Sequence, residues 1–214
     1  MPIILKDIAT GPEQIGVWKI NETSDQLMAL AKLDSAEKMI VSSYKNEQRK
    51  LHWLAYRALL NEMLPLTTCR VKYDQHGKPY LDGEPFHISV SHSGEFAAII
   101  VSDNAVGIDI EKISGRVGRV QERFLSVEEL NSIGDLDRTE KLHICWGAKE
   151  SLYKLNGTPE VDFQVDIHLE QFHYLCNGNG HFQATMQTLA GLEEFEISYL
   201  KFEEYMLVWA TGSS

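Results

Sequence analysis

The chain has 214 residues, with 20 Lys and Arg against 31 Asp and Glu and a formal net charge of −11. That length buries a sizeable core without disulfide staples, and that charge disfavours a general nucleic-acid or anionic-membrane binder, so an anionic ligand needs a local basic cluster or a bound metal. Cys69, Cys145 and Cys176 stand singly, no apolar run reaches membrane-spanning length, and MPIILKDIATG lacks a basic-then-apolar leader, which together lead us to expect reduced thiols in a soluble cytoplasmic protein.

Ser24 and Ser35 are the expected N-caps of two helical segments. NEQRKLHWLAYRALLNEML (46–64) reads as a stronger helix, opened by Asn46 and closed before Pro65. Its Leu51, Leu54, Ala55, Ala58 and Leu59 gather on one side, with Lys50, Trp53 and Arg57 opposite. Strand runs follow in CRVKY, FHISVS, FAAIIVS and AVGIDIE, with turns at QHGKP and DN, and their spacing predicts antiparallel hairpins. Beyond them, Ser126 with Glu129 fits a capping box, and Asp137 with Glu140 repeats it before RTEKLHICWGAKESLYKLN, a helix ended by Gly157. FQVDIH, FHYLC, HFQATMQ, FEISYLKF and YMLVWAT then return to meandering β-structure around the turn NGNG. Helices and strands recur in both halves, so the expected fold class is α+β in two tightly packed halves, residues 1–104 and 105–214, with a seam near Asn104.

The chemistry concentrates at VGIDIEKI (106–113). Strand alternation sends Ile108 and Ile110 to one face and Asp109 and Glu111 to the other, where two neighbouring carboxylates repel unless solvated or bridged by a cation. On the later helix, His143, Trp146, Glu150 and Lys154 share a face opposite Cys145, Ala148, Leu152 and Leu155. Glu150 and Lys154 alone are also what an ordinary surface i,i+4 pair looks like. If Glu150 faces Asp109 and Glu111, however, the three supply oxygen ligands for Mg²⁺. Arg57, Lys50, Lys78 and His92 are further candidates for phosphate, though each also suits a solvated or structural role. Phosphate-loop, dinucleotide-fingerprint, H-E-x-x-H and paired C-x-x-C motifs are missing, and no G-x-S-x-G surrounds Ser91, His92 and Ser93.

GIDIE at 107–111 and WGAKESLYK at 146–154 resemble the signature pair of the 4′-phosphopantetheinyl transferase superfamily, G-[IV]-D-[IV]-E and W-x-x-K-E-[SA]-x-x-K. YRALL, HGKPYL, ISVSHSG and ERFLSVEEL extend the likeness over roughly residues 35–160. The length, with SHSG in the half before GIDIE, resembles the longer Sfp-type monomers built of two pseudo-symmetric halves in one chain.

The resemblance implies transfer of 4′-phosphopantetheine from coenzyme A to a serine of an apo acyl or peptidyl carrier protein, releasing adenosine 3′,5′-bisphosphate. It places Asp109, Glu111 and Glu150 on Mg²⁺, with Mn²⁺ an alternative. Glu150 also serves as general base and Lys154 steadies the phosphates. Arg57 and His92 fall at positions that grip the 3′-phosphate, and Lys78 and Ser91 at positions on the adenine and ribose side. Trp146 falls on a packing or motif position and Lys149 on a helix-surface charge or phosphate contact. One departure is EKMIVSSYK around Lys38, which lacks a second basic residue for the 3′-phosphate and leaves Lys45 or Lys50 to substitute. Carrier proteins are acidic, which makes Lys112, Arg116, Arg119 and Arg123 the expected docking patch. Nucleic acid and membrane are not expected partners, and the chain is expected to be monomeric. A non-catalytic coenzyme A or carrier-binding protein on the same scaffold, and a metal-dependent phosphohydrolase, are the alternatives.

Overall fold

The computed structural model describes residues 3–6, 13–64, 70–175 and 177–212. Every strand pairing in it is antiparallel. A four-stranded sheet runs in the order β1 (Ile3–Lys6), β2 (Gln14–Lys19), β6 (Phe96–Ser102), β5 (His87–Ser93). A five-stranded sheet runs β7 (Val106–Lys112), β11 (Tyr205–Gly212), β10 (Gly191–Phe202), β9 (Asn179–Thr188), β8 (Ile167–Leu169). A separate ribbon pairs β3 (Val71–Tyr73) with β4 (Pro79–Leu81). With α1 (Ser24–Leu30), α2 (Ser35–Ser42), α3 (Glu47–Met63), α4 (Val127–Ile133) and α5 (Arg138–Asn156), the molecule is an α+β fold of antiparallel sheets packed against helices.

FAAIIVS is buried along its whole length because both of its faces are covered. Ala97, Ile99 and Val101 join the core under α1 to α3, whereas Phe96, Ala98 and Ile100 join Ile108, Ile110, Leu207 and Trp209 in a core shared by the two sheets. A third core lies between α4, α5 and the second sheet. This arrangement corrects the hairpin expected between FAAIIVS and AVGIDIE. Ile108 and Ile110 cover the first sheet, and β7 takes its ladder partner from β11, far along the chain.

The long helices behave as expected: Asn46 caps α3 by accepting from the Arg49 amide, and Gly157 ends α5 at φ 73°. The first two caps shift by one residue, to Thr23 and Asp34, whose extended backbones and side-chain oxygens close full capping boxes with Gln26 and Glu37. Ser126 and Glu129 form the predicted box, but Asp137 sits in the left-handed region with no side-chain cap bond. FQVDIH contributes only Ile167 and His168 to β8, residues 172–175 form no strand, and the N-terminal strands β1 and β2 escaped the sequence pattern. Pro65, Cys69 and Cys176 lie outside the described residues, while Cys145 is a free, buried thiol whose pKa burial pushes up to about 12. No helix among the described residues is long and apolar enough to cross a membrane.

Candidate active site

The site grows from how closely α5 lies on β7. A Cβ on Gly107 would stand 1.8 Å from the Ser151 carbonyl oxygen, and one on Gly147 would stand 2.6 Å from Val208 Cγ2. Gly107 therefore lets the backbone of β7 meet that of α5, Gly147 leaves room for the Val208 side chain of β11, and the Ser151 hydroxyl pins the seat by donating to Val208 O at 3.1 Å. Since Gly107 faces α5, alternation brings Asp109 and Glu111 to the same side, while Ile108 and Ile110 enter the shared core.

Asp109 is only 5 % exposed. Its Oδ1 accepts from Lys154 Nζ at 2.6 Å and from Ser91 Oγ at 2.9 Å, while its buried Oδ2 has no hydrogen-bond partner. Lys154 also donates to Ile108 O and to Ser91 Oγ. Glu111 accepts from Ser93 Oγ at 3.1 Å. Burial first, and then the Asp109 carboxylate, raise the Glu111 pKa above the ordinary range. Burial and Asp109 raise Glu150 likewise, against the opposing pull of Lys154.

The serines of ISVSHSG have a second task. β7 is an edge strand, and its outward amides at Ile108, Ile110 and Lys112 donate to Ser89, Ser91 and Ser93 Oγ, each at 3.2 Å. Hydroxyls on one face of β5 thus satisfy an edge that has no ladder partner and aim both acids. The i,i+2,i+4 spacing of these serines was the available signal, since period two sets all three on one strand face.

Two cavities meet at this cluster. One, of about 610 Å³, is lined by Glu111, Ser93, Lys112, Arg116, His143 and Trp146 among others. The other, of about 220 Å³, has Tyr73, Lys78, Ser89, Val90, Tyr153 and Lys154 in its wall. Glu111 lines the first and Lys154, paired with Asp109, lines the second. Among the described residues no three His, Cys, Asp or Glu side chains are drawn together into a metal cage, and Lys154 instead neutralises Asp109. An all-oxygen donor set, an orphaned buried Oδ2 and two carboxyls whose charge is disfavoured nevertheless fit a hard divalent cation.

Of the other expected site residues, Lys78 reaches the smaller cavity, donates to Leu155 O at 2.5 Å and has its pKa lowered by burial. His92 is exposed and stacks on buried His52 with ring centroids 4.2 Å apart; desolvation first and His52 second lower its pKa. Arg57, expected on a polar helix face, is 4 % exposed and donates Nε to Glu37 Oε1 at 2.9 Å. Trp53 joins it in the core, because the α1 and α2 layer covers that side of α3 as well. Lys149 is not a surface charge: it is 0 % exposed and donates to Glu129 Oε2, Phe163 O and Ile167 O. Trp146 packs on Phe124 and Phe163. Lys112, Arg116, Arg119 and Arg123 are all exposed.

Residues 105–207 match the family model of the 4′-phosphopantetheinyl transferase superfamily. A 4′-phosphopantetheinyl transferase of Bacillus subtilis is 26 % identical over 172 residues, 73 % of this chain and 71 % of that protein. The 4′-phosphopantetheinyl transferase Sfp of Bacillus subtilis strain 168 is 24 % identical over 159 residues, 69 % of this chain and 71 % of Sfp. The 4′-phosphopantetheinyl transferase AcpT of Escherichia coli K12 is 35 % identical over 120 residues, 51 % of this chain and 59 % of AcpT.

Proposed function

We propose that the chain is a member of the 4′-phosphopantetheinyl transferase superfamily and moves the 4′-phosphopantetheine group of coenzyme A onto a serine of an apo acyl or peptidyl carrier protein, releasing adenosine 3′,5′-bisphosphate. The observation that carries this reading is that the two family-like motifs meet at the ion pair of Asp109 with Lys154, where Asp109 keeps one buried carboxylate oxygen without a partner and Glu111 and Lys154 each line a cavity.

Asp109, Glu111 and Glu150 would hold Mg²⁺, or Mn²⁺ with the same oxygen donors, and the metal when bound would neutralise diphosphate charge. Lys154, now hydrogen-bonded to Asp109 and Ser91, would turn its remaining donor capacity to a phosphate oxygen. Glu150, with its raised pKa, would accept the serine proton as the serine oxygen bonds to the phosphorus carrying the pantetheine arm and the bridging P–O bond breaks. Ser91 and Ser93 would keep the acids aimed. Lys78 would face the nucleoside end of coenzyme A in the smaller cavity and His92 its 3′-phosphate. The division at residues 104 and 105 would then separate a nucleotide-holding half from a catalytic half.

Lys112 and Arg116 border the larger cavity, and Arg119 and Arg123 continue the exposed basic surface, which suits an acidic carrier. Reversing Arg116 and Arg119 to Glu should raise the KM for carrier severalfold and leave coenzyme A binding alone; unchanged carrier kinetics would remove the patch.

Incubation with coenzyme A, Mg²⁺ and an apo carrier tests the reaction itself. A carrier mass gain of one phosphopantetheine is expected. Coenzyme A binding without turnover would favour the non-catalytic alternative, and coenzyme A cleavage without carrier a phosphohydrolase.

A further inference from the structure

We propose that Arg57 serves the smaller cavity from behind: directly and through Tyr56 it orients the hydroxyl of Tyr73, which makes Tyr73 a hydrogen-bond donor to the nucleobase of coenzyme A and Arg57 and Tyr56 positioning residues. The proposal rests on the reading of that cavity as the nucleoside site.

Tyr73 needs such support because its strand cannot hold it. The ribbon β3–β4 is three residues on each side, of which Val71 and Leu81 are buried, and a two-stranded ribbon by itself is marginal. Tyr73 is 43 % exposed, so packing does not set its position. Its hydroxyl instead meets that of Tyr56 on α3, and the Tyr56 oxygen accepts from Arg57 Nη1. Arg57 is anchored in turn by Glu37, the third residue of α2, which also closes the capping box on Asp34, and by the Trp53 ring beneath its guanidinium.

The direction of this chain follows from donor counting. Arginine only donates, so Tyr56 is an acceptor toward it. The Tyr56 hydroxyl is buried and must place its own proton, and the Tyr73 oxygen is the acceptor within reach. Tyr73 therefore receives, from Tyr56 and from the Arg57 guanidinium beside it, and its own proton is left to donate to a ligand of the cavity that Tyr73 lines. Burial raises the Tyr56 pKa well above that of a free phenol, which keeps that proton in place. The wall of the same cavity carries Pro79, Tyr153 and Pro159 beside the amines of Lys78 and Lys154, and a purine offers ring-nitrogen acceptors to the Tyr73 hydroxyl.

Calorimetric titration with adenosine 3′,5′-bisphosphate, and separately with coenzyme A, tests the chain on wild type, Tyr73→Phe, Tyr56→Phe and the double variant. Tyr73→Phe should weaken both ligands roughly five- to tenfold, the worth of one hydrogen bond, and raise the KM for coenzyme A with the KM for carrier unchanged. Tyr56→Phe should weaken them by a similar factor, and the double variant no further, because both act through one donor. Full affinity in Tyr73→Phe, or additive losses in the double variant, would overturn the proposal while leaving the transferase reading intact. A Tyr56→Phe protein with a lower melting temperature but wild-type affinity would overturn it too, by assigning Tyr56 to packing alone. A wild-type protein that binds neither ligand overturns both readings.

Discussion

At Asp109 one carboxylate oxygen serves Ser91 and Lys154 while the other is buried without a partner, an imbalance that a structural ion pair does not need. Ser91 is the residue on which the geometry turns, since it receives Ile110 N–H and Lys154 Nζ and donates to Asp109. Ser91→Ala should cost about 1–3 kcal/mol by urea denaturation, because it leaves buried polar groups unmatched. Glu111 makes an opposite prediction. Its folded-state pKa is raised, so the folded chain holds a proton that the unfolded chain releases; the stability this gives is full at acid pH and lost as pH rises through the raised value. In chelator at neutral pH, Glu111→Gln should therefore melt above wild type, with the gap closing on acidification; a lower melting temperature at neutral pH would contradict the repulsion. The alternation of Asp109 and Glu111 was legible in GIDIE, as was the grouping of Glu150 with Lys154. The engagement of Asp109 by Ser91 was not, because it depends on the face of β5 that meets the edge of β7, a tertiary fact.

Among the elements, α5 does most to place the site, and it is held from two directions. Gly107 lets it touch β7, so Gly107→Ala should cost about 3 kcal/mol or more in thermal or urea unfolding, since the obstructing atom is backbone and cannot rotate away. From behind, Lys149 ties α5 to α4 through Glu129, to the chain before β8 through Phe163 O and to β8 itself through Ile167 O. Lys149→Met should destabilise by about 3–5 kcal/mol, leaving Glu129 buried and uncompensated, and adding Glu129→Leu should recover part of that loss. Stability equal to wild type in the single variant would show that the pair is hydrated in solution. Helix ends marked by Asn46, Ser126 and Gly157 were readable because their chemistry is local. Lys149 and Arg57 were misplaced for the converse reason: a helix wheel identifies faces but not how many are covered, and α3 and α5 are each covered on more than one side.

For the whole molecule, the two sheets share the core that contains Phe96, Ile100, Ile108, Ile110 and Leu207. Neither sheet keeps that surface dry alone, so circular dichroism and tryptophan fluorescence should report one coincident unfolding transition. Two separated transitions would mean that residues 1–104 and 105–214 are independently stable. The seam near Asn104 was legible as a turn, but the exchange of partners across it was not, because β7 finds β11 roughly a hundred residues later. The same seam holds the acids, beside a cavity walled partly by Lys78 and Tyr73 and another bordered by Arg116. The intact mass of an apo carrier incubated with coenzyme A, Mg²⁺ and either wild type or a folded Asp109→Ala variant tests the site of transfer most directly. Wild type should add one phosphopantetheine and the variant none above background; equal modification by both would contradict the placement of the transfer at Asp109.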